Sequence, residues 1–251
     1  MSPKTKHPFR KKWGQNFLID NNVINNIINC LDACHEDIIL EIGPGDGSLT
    51  NILYKKVKKI YAIEIDPLLY KVLLNNNYPN VQLFENDFLK WDLQRLPINY
   101  KVISNLPYYI ASTILFKLIE NNKWNKMILM FQKEVADRII SKPGNKVYGR
   151  LSVMCQVFCK VKIQFTVSKN VFNPKPEVDS AIVEFLPKKN NTISIHSFAD
   201  LVRQAFSQRR KKLKNNLPKL YNKGILMDLS ELRPEELAPT DYLKIFNKIH
   251  N

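Results

Sequence analysis

Ile38-Ile-Leu-Glu-Ile-Gly-Pro-Gly-Asp-Gly47 joins two patterns. Ile38–Ile42 is a short apolar run of the kind a strand covered on both faces needs, and Gly43–Gly47 is a tight turn. Glycines there let the backbone approach a ligand that a Cβ would exclude. A helix is expected at 48–56, a second strand at Lys59–Ile65, and a helix opening at Pro67, a residue suited to a first helical turn. Val81–Phe84, Lys101–Ser104 and Lys126–Phe131 read as further strands, with a helix at 111–120. This βαβα rhythm predicts an α/β fold with a parallel sheet covered on both faces.

Outside this frame, Val23, Ile24, Ile27, Ile28 and Leu31 recur at helical spacing over 21–31. Residues 160–167 and 178–186 are expected as an antiparallel pair at one sheet edge. Pro187-Lys-Lys-Asn-Asn191 reads as a linker. The expected organisation is one domain over 1–187, with a basic arm at 1–13, and a small helical domain over 188–251.

The 251 residues carry 38 Lys+Arg against 23 Asp+Glu, a net charge of +15. Such a surface suits a polyanion such as nucleic acid. The chain also has 27 Asn, 8 Ala, and 30 Lys against 8 Arg, so part of the excess reflects A/T-rich codons. Its distribution argues for binding. Residues 1–13 hold Lys4, Lys6, Arg10, Lys11 and Lys12 without an acid. Residues 203–219 hold Arg203, Arg209, Arg210, Lys211, Lys212, Lys214 and Lys219, again without an acid. Arg10, Lys11, Lys12, Arg209, Arg210, Lys211 and Lys212 are the candidate phosphate contacts. No apolar run is long enough for a membrane span, and no signal-peptide pattern opens the chain. A cytoplasmic monomer without metal or membrane is expected. The pairs Cys30/Cys34 and Cys155/Cys159 read as core residues of helical segments rather than zinc ligands.

Three acids mark a nucleoside pocket. Glu64 ends the second strand, 21 residues past Gly43, where a carboxylate can accept from both hydroxyls of a ribose. Asp87 ends the third strand and can accept from an adenine amino group. Asp46 sits where a pyrophosphate would approach the helix, and the glycine spacing is not that of a dinucleotide turn. A sulfonium nucleoside tolerates these carboxylates, so S-adenosylmethionine is the expected cofactor.

Ser104-Asn105-Leu106-Pro107-Tyr108 follows the fourth strand. An adenine amine is a poor nucleophile because its lone pair is delocalised into the ring. Acceptors at the Asn105 side-chain oxygen and the Leu106 carbonyl would localise that pair, Pro107 stiffens the loop, and Tyr108 can stack on the base. Trp13, Phe17, Tyr109 and Trp124 are read as packing residues, with Trp13 and Phe17 flanking the basic arm.

These stretches, with KWGQNFL (12–18), IEID (63–66), ENDF (85–88) and SNLPYY (104–109), resemble the ribosomal RNA adenine N6-methyltransferases. PGNKVYGRLSV (143–153), VFNPKPEVDSAIVEF (171–185) and FSQRRKKLKNNL (206–217) are similar to their bacterial small-subunit branch of adenine dimethyltransferases. The resemblance covers about residues 10–246. It implies a Rossmann-like class I methyltransferase sheet. It also implies dimethylation of two adjacent adenines in the loop of the 3′-terminal hairpin of 16S rRNA, within the immature small ribosomal subunit. By the same resemblance Asn16 and Leu18 close over the cofactor, Gly43 lines it, Glu64 binds its ribose and Asp87 its adenine. Asn105 touches both cofactor and target amine, and Phe172 faces Tyr108 across the target base. Two competing functions are a large-subunit adenine methyltransferase of the antibiotic-resistance type and a non-catalytic RNA-binding assembly factor on the same fold.

Overall fold

The computed structural model describes residues 15–188 and 193–250. The candidates Arg10, Lys11 and Lys12, with Trp13, lie outside the described residues.

Among the described residues the first elements are a two-residue strand β1 (Phe17–Leu18) and helix α1 (Asn21–Leu31). Asp20 caps α1, its carboxylate accepting from the backbone N–H of Asn22 at 2.8 Å and Val23 at 3.1 Å. The apolar spacing seen in the sequence buries Ile24, Ile27, Ile28 and Leu31.

Alternation follows: β2 (Ile38–Ile42), α2 (Thr50–Leu53), β3 (Lys59–Glu64), α3 (Pro67–Leu74), β4 (Val81–Glu85), β5 (Tyr100–Asn105), α4 (Ala111–Asn121) and β6 (Trp124–Gln132). Two helices, α5 (Lys133–Ile140) and α6 (Arg150–Phe158), precede β7 (Cys159–Val167), a two-residue strand β8 (Phe172–Asn173) and β9 (Ser180–Pro187). The tail adds α7 (Ile195–Ala205), α8 (Leu213–Asn216), α9 (Pro218–Asn222) and α10 (Pro239–His250). Among the described residues no helix is long and apolar enough to cross a membrane.

Seven strands form one sheet in the order β4-β3-β2-β5-β6-β9-β7. The pairs β2/β3, β3/β4, β2/β5 and β5/β6 are parallel. Chain order therefore reverses between β2 and β5, which opens a crevice at their carboxyl ends. This is the expected α/β, Rossmann-like sheet. The register places Glu41 beside Ile103, so the glycine turn after β2 and the Asn-Leu-Pro corner after β5 leave the same edge. Strands β1 and β8 pair with each other, antiparallel, with Leu18 opposite Phe172.

The helix expected at 48–56 is shorter than its apolar pattern suggested. Cys159 opens a strand instead of sitting in a helix, and both Cys155 and Cys159 are buried.

The chain divides into two compact units. One holds the chain up to Lys133 with Gln164–Glu184, the other Glu134–Ile163 with everything from Phe185 onward. The single boundary expected at 187 thus lies inside the second unit's territory. Tertiary contacts explain why α6 belongs with the tail. Phe198 of α7 meets Phe158 of α6 edge-on at 5.7 Å and Phe246 of α10 at 5.5 Å. The Tyr148 hydroxyl donates to the Leu237 carbonyl at 2.9 Å, and the Gly144 N–H to the Glu235 carbonyl at 2.8 Å. A proline- and lysine-rich stretch looks like a linker in sequence, but these contacts are made across it.

Candidate active site

The first unit carries a cleft at the carboxyl edge of β2, β3 and β5 that opens to solvent. Asn16, Leu18, Gly43, Glu64, Asn105, Leu106 and Pro107, all chosen from the sequence, line it. So do Glu41, Phe17 and Ile65.

Backbone geometry explains the glycines. Gly43 has φ +64°, a left-handed conformation that side chains rarely adopt, and its N–H donates to the Ile63 carbonyl at 2.9 Å. A Cβ there would meet no protein atom within 4 Å, so the space beside Gly43 is open. A Cβ on Gly45 would come within 3.2 Å of the Phe17 ring. Phe17 thus packs on the turn, as its sequence led us to expect.

Glu64 organises this turn. It is 3% exposed, and its two oxygens accept from the N–H of Gly45 at 3.0 Å and of Asp66 at 2.8 Å. A carboxylate has about four acceptor positions, so Glu64 keeps acceptor capacity for a ligand hydroxyl. Burial raises the Glu64 pKa above the ordinary carboxylate value and the charge of Asp66 adds to the rise, while the backbone donors of Asp66, Gly45 and Ile65 oppose it. Buried Asp66 caps α3 through the Leu68 N–H at 3.0 Å and accepts from the Gln15 amide at 2.9 Å.

Glu41 went unassigned in the sequence because it reads as the last polar step before the glycines. Its Oε2 accepts from the Thr50 hydroxyl at 2.7 Å. Its Oε1 is buried with no hydrogen-bond partner. Burial pushes the Glu41 carboxyl up to about 7, against the opposing Thr50 bond, and the negative charges of Glu64 and Asp46 add to the rise. A buried acceptor without a donor beside a cleft is suited to a cationic or hydrogen-bonding ligand group.

At the corner after β5, the Asn105 Nδ2 donates to the Asn16 carbonyl at 2.8 Å. The amide nitrogen is thereby committed, and the side-chain oxygen is the end left to accept. Ser104 ties the neighbouring strands by donating to the Ile42 carbonyl. The Tyr108 hydroxyl lies 2.6 Å from the Ser180 hydroxyl, at the start of β9. Burial raises its pKa, with the Ser180 bond opposing.

Asp87, Tyr108 and Phe172 are not among the lining residues. Asp87 is half-buried, and one of its oxygens accepts from the Leu89 N–H at 2.9 Å. Lys117 holds the turn that follows by donating to the carbonyls of Phe88, Leu89 and Trp91. Phe172 departs furthest from its expected place opposite Tyr108 across a base. It is 3% exposed and packs in a core with Leu18, Ile24 and Ile182, so its ring faces are covered by protein.

Two aromatic expectations divide. Trp124 is a packing residue, buried, with its indole N–H on the Leu118 carbonyl at 2.7 Å. Tyr109 is not: it is 64% exposed.

In the second unit, Arg209, Arg210, Lys211 and Lys212 are all exposed. The acids missing from 203–219 arrive from elsewhere. Arg209 pairs with Glu235 at 3.5 Å, and Lys212 with Glu231 at 2.6 Å. Lys214 also pairs with Glu231, and Arg203 with Asp200 at 2.9 Å. Among the described residues no ion pair forms at Arg210 or Lys211.

The family model described as ribosomal RNA adenine dimethylase matches residues 6–250. The chain is 40% identical over 250 residues to the ribosomal RNA small subunit methyltransferase A of Chlorobium phaeobacteroides, covering 98% of this chain and 95% of that protein. It is 42% identical over 256 residues to the protein of the same name from Mycoplasma mobile, covering 97% and 99%. A crystal structure of a dimethyladenosine transferase from Plasmodium falciparum matches with a TM-score of 0.85 at 30% identity, over 93% of this chain and 97% of that one. A match of this extent in sequence, together with the strand order and the acid-lined cleft at its reversal, means that the chain belongs to the ribosomal RNA adenine dimethylase family.

Proposed function

We propose that this chain dimethylates the N6 amines of two adjacent adenines in the 3′-terminal hairpin loop of 16S rRNA, within the immature small subunit, using S-adenosylmethionine. It is an rRNA adenine dimethyltransferase by family, and relatives named for the small subunit favour that substrate over a large-subunit one. The observation that carries the reading is the fixed Asn105 amide, whose oxygen is left as an acceptor on the cleft that also holds Glu64.

The residues present suit the cofactor: an orphaned buried oxygen on Glu41, open space at Gly43, and spare acceptor positions on Glu64. Bound S-adenosylmethionine supplies a methyl carbon made electrophilic by its sulfonium. Glu64 would hold the ribose hydroxyls and Asp87 the adenine amine. Asn16, Leu18 and Gly43 would close around the rest, and Glu41 would face its cationic end.

On the substrate side, the Asn105 oxygen and the Leu106 carbonyl accept the two amine hydrogens and draw the nitrogen lone pair out of the ring. Tyr108, anchored by Ser180, stacks on the base and fixes its plane. Positioning supplies most of the rate, and the proton is lost to water after the new bond forms. A loop adenine is less costly to extrude than a paired one. Phe172 would join as a second aromatic face only once β8 moves enough to uncover it. The domain of 188–251 would contact RNA through its exposed bases.

The test is mass spectrometry of 16S rRNA from immature subunits incubated with the protein and labelled S-adenosylmethionine. Four methyl groups on two adjacent adenines are expected. Asn105→Ala should lower transfer about 100-fold or more, the scale of losing one fixed polar contact to the reacting group. Unaltered transfer by Asn105→Ala would remove the role given to that amide, and no transfer by the wild type would revive the non-catalytic reading. Methylation of free large-subunit RNA in place of the small subunit would favour the resistance-type reading.

A further inference from the structure

We infer that Tyr109 is a second stacking platform, which holds the unpaired purine next to the adenine being methylated. The inference rests on the proposed substrate, two adjacent adenines in a loop.

The two tyrosines of the corner are consecutive yet face different surroundings. Tyr108 is half-buried with its hydroxyl fixed by Ser180, whereas Tyr109 is 64% exposed. The backbone under Tyr109 is held on both sides. The Ile110 N–H donates to the Pro107 carbonyl at 3.2 Å, closing a turn over 107–110, and α4 begins at the next residue, Ala111. Pro107 fixes its own φ at the head of that turn. A large aromatic carried on a stiff turn loses little entropy when it is covered.

The substrate makes the need concrete. Extruding one adenine strips a stacking face from its neighbour, and that neighbour is the other target. An aromatic next in sequence to the one that holds the target base is within one residue's reach of the next nucleotide. Stacking on an aromatic is tolerant of base identity, so one ring can serve before and after the first base is methylated.

The experiment compares wild type with Tyr109→Ala, Tyr109→Trp and Ile98→Ala, the last removing another exposed apolar side chain outside the corner. A 16S hairpin carrying 2-aminopurine at the nucleotide beside the target reports stacking as fluorescence quenching. Wild type, Tyr109→Trp and Ile98→Ala should quench it on binding, and Tyr109→Ala should not. With immature subunits, Tyr109→Ala should raise KM about 5- to 100-fold, the scale of one lost base stack, with the effect falling on KM rather than kcat. Equal quenching and equal KM in Tyr109→Ala, while wild type still methylates both adenines, would overturn the inference and leave the proposed function standing. If wild type methylates neither adenine, the proposed function fails instead.

Discussion

The acids at the sheet's carboxyl edge and the bases of the tail carry opposite charge in opposite settings. Glu41, Glu64 and Asp66 are buried, and each accepts defined hydrogen bonds. Arg209, Arg210, Lys211 and Lys212 stand in solvent, and two of them are shared with acids 19 to 26 residues downstream. Burial makes a carboxylate costly to ionise, so a ligand that satisfies it gains a large, localised interaction. Exposed pairs are worth little individually, so the tail can act only through summed charge. Single substitutions should therefore hurt much more at the cleft than at the tail.

The largest effect is expected at Glu64. Glu64→Ala removes both proposed ribose contacts and leaves the Gly45 and Asp66 N–H groups without their acceptor. Cofactor affinity should fall about 10- to 100-fold, and stability by roughly 1–3 kcal/mol for each orphaned donor. Calorimetry reads the first and denaturant unfolding the second. RNA binding, if carried by the tail, should persist. An unchanged cofactor affinity would remove the ribose assignment and much of the contrast with it.

Glu41 sharpens the same contrast through pH. Burial raises its folded pKa from 4.5 to about 7. The fold therefore binds this proton more tightly than the unfolded chain does. The stabilisation is fully present below about pH 4.5 and is lost as pH rises through about 7. The size is about 3 kcal/mol, because each tenfold gain in proton affinity on folding is worth roughly 1.4 kcal/mol. In Glu41→Gln the decline in unfolding free energy across that window should shrink by most of this amount. Cofactor affinity should move the other way in the native chain, rising with pH as Glu41 ionises to meet a cation, and should flatten in the variant. Identical pH profiles for the two proteins would mean that Glu41 does not titrate in this range.

How much of this was visible in the sequence depended on the range of the signal. Strands β2, β3, β5 and β6 carry short apolar runs, Ile38–Leu40, Ile60–Ile63, Val102–Ile103 and Met127–Phe131. The cleft residues Gly43, Glu64 and Asn105 lie at or just past the carboxyl ends of these strands, so their strands locate them. Glu41 was missed because it lies inside β2 before the glycine turn, and only its burial and unpartnered oxygen distinguish it. Two-residue strands such as β1 and β8 have no periodicity to read, and their pairing is what buries Phe172 against Leu18. Tyr109 has the composition of a packing residue, and only its surroundings reveal its exposure. The grouping of α5 and α6 with the tail depends on Phe198 and Tyr148, whose partners are tens of residues away.

The tail misled for a related reason, and it yields the smallest predicted effect. Counting charge inside 203–219 finds seven bases and no acid, but the fold brings Glu231 and Glu235 to that segment. Lys212 and Lys214 together hold the Glu231 carboxyl down to about 2. A base already facing a carboxylate displaces fewer counterions when it meets a phosphate. Arg210 and Lys211 should thus dominate the ionic part of RNA binding. Arg210→Gln with Lys211→Gln should reduce the slope of log affinity against log salt by about 1.4, at roughly 0.7 per single-strand phosphate contact. Arg209→Gln with Lys212→Gln should reduce it by less. Equal reductions would show that the carboxylate partners release their bases on binding, and no change in either double variant would leave the tail as a solvated charged face, the setting in which a basic run needs no ligand at all.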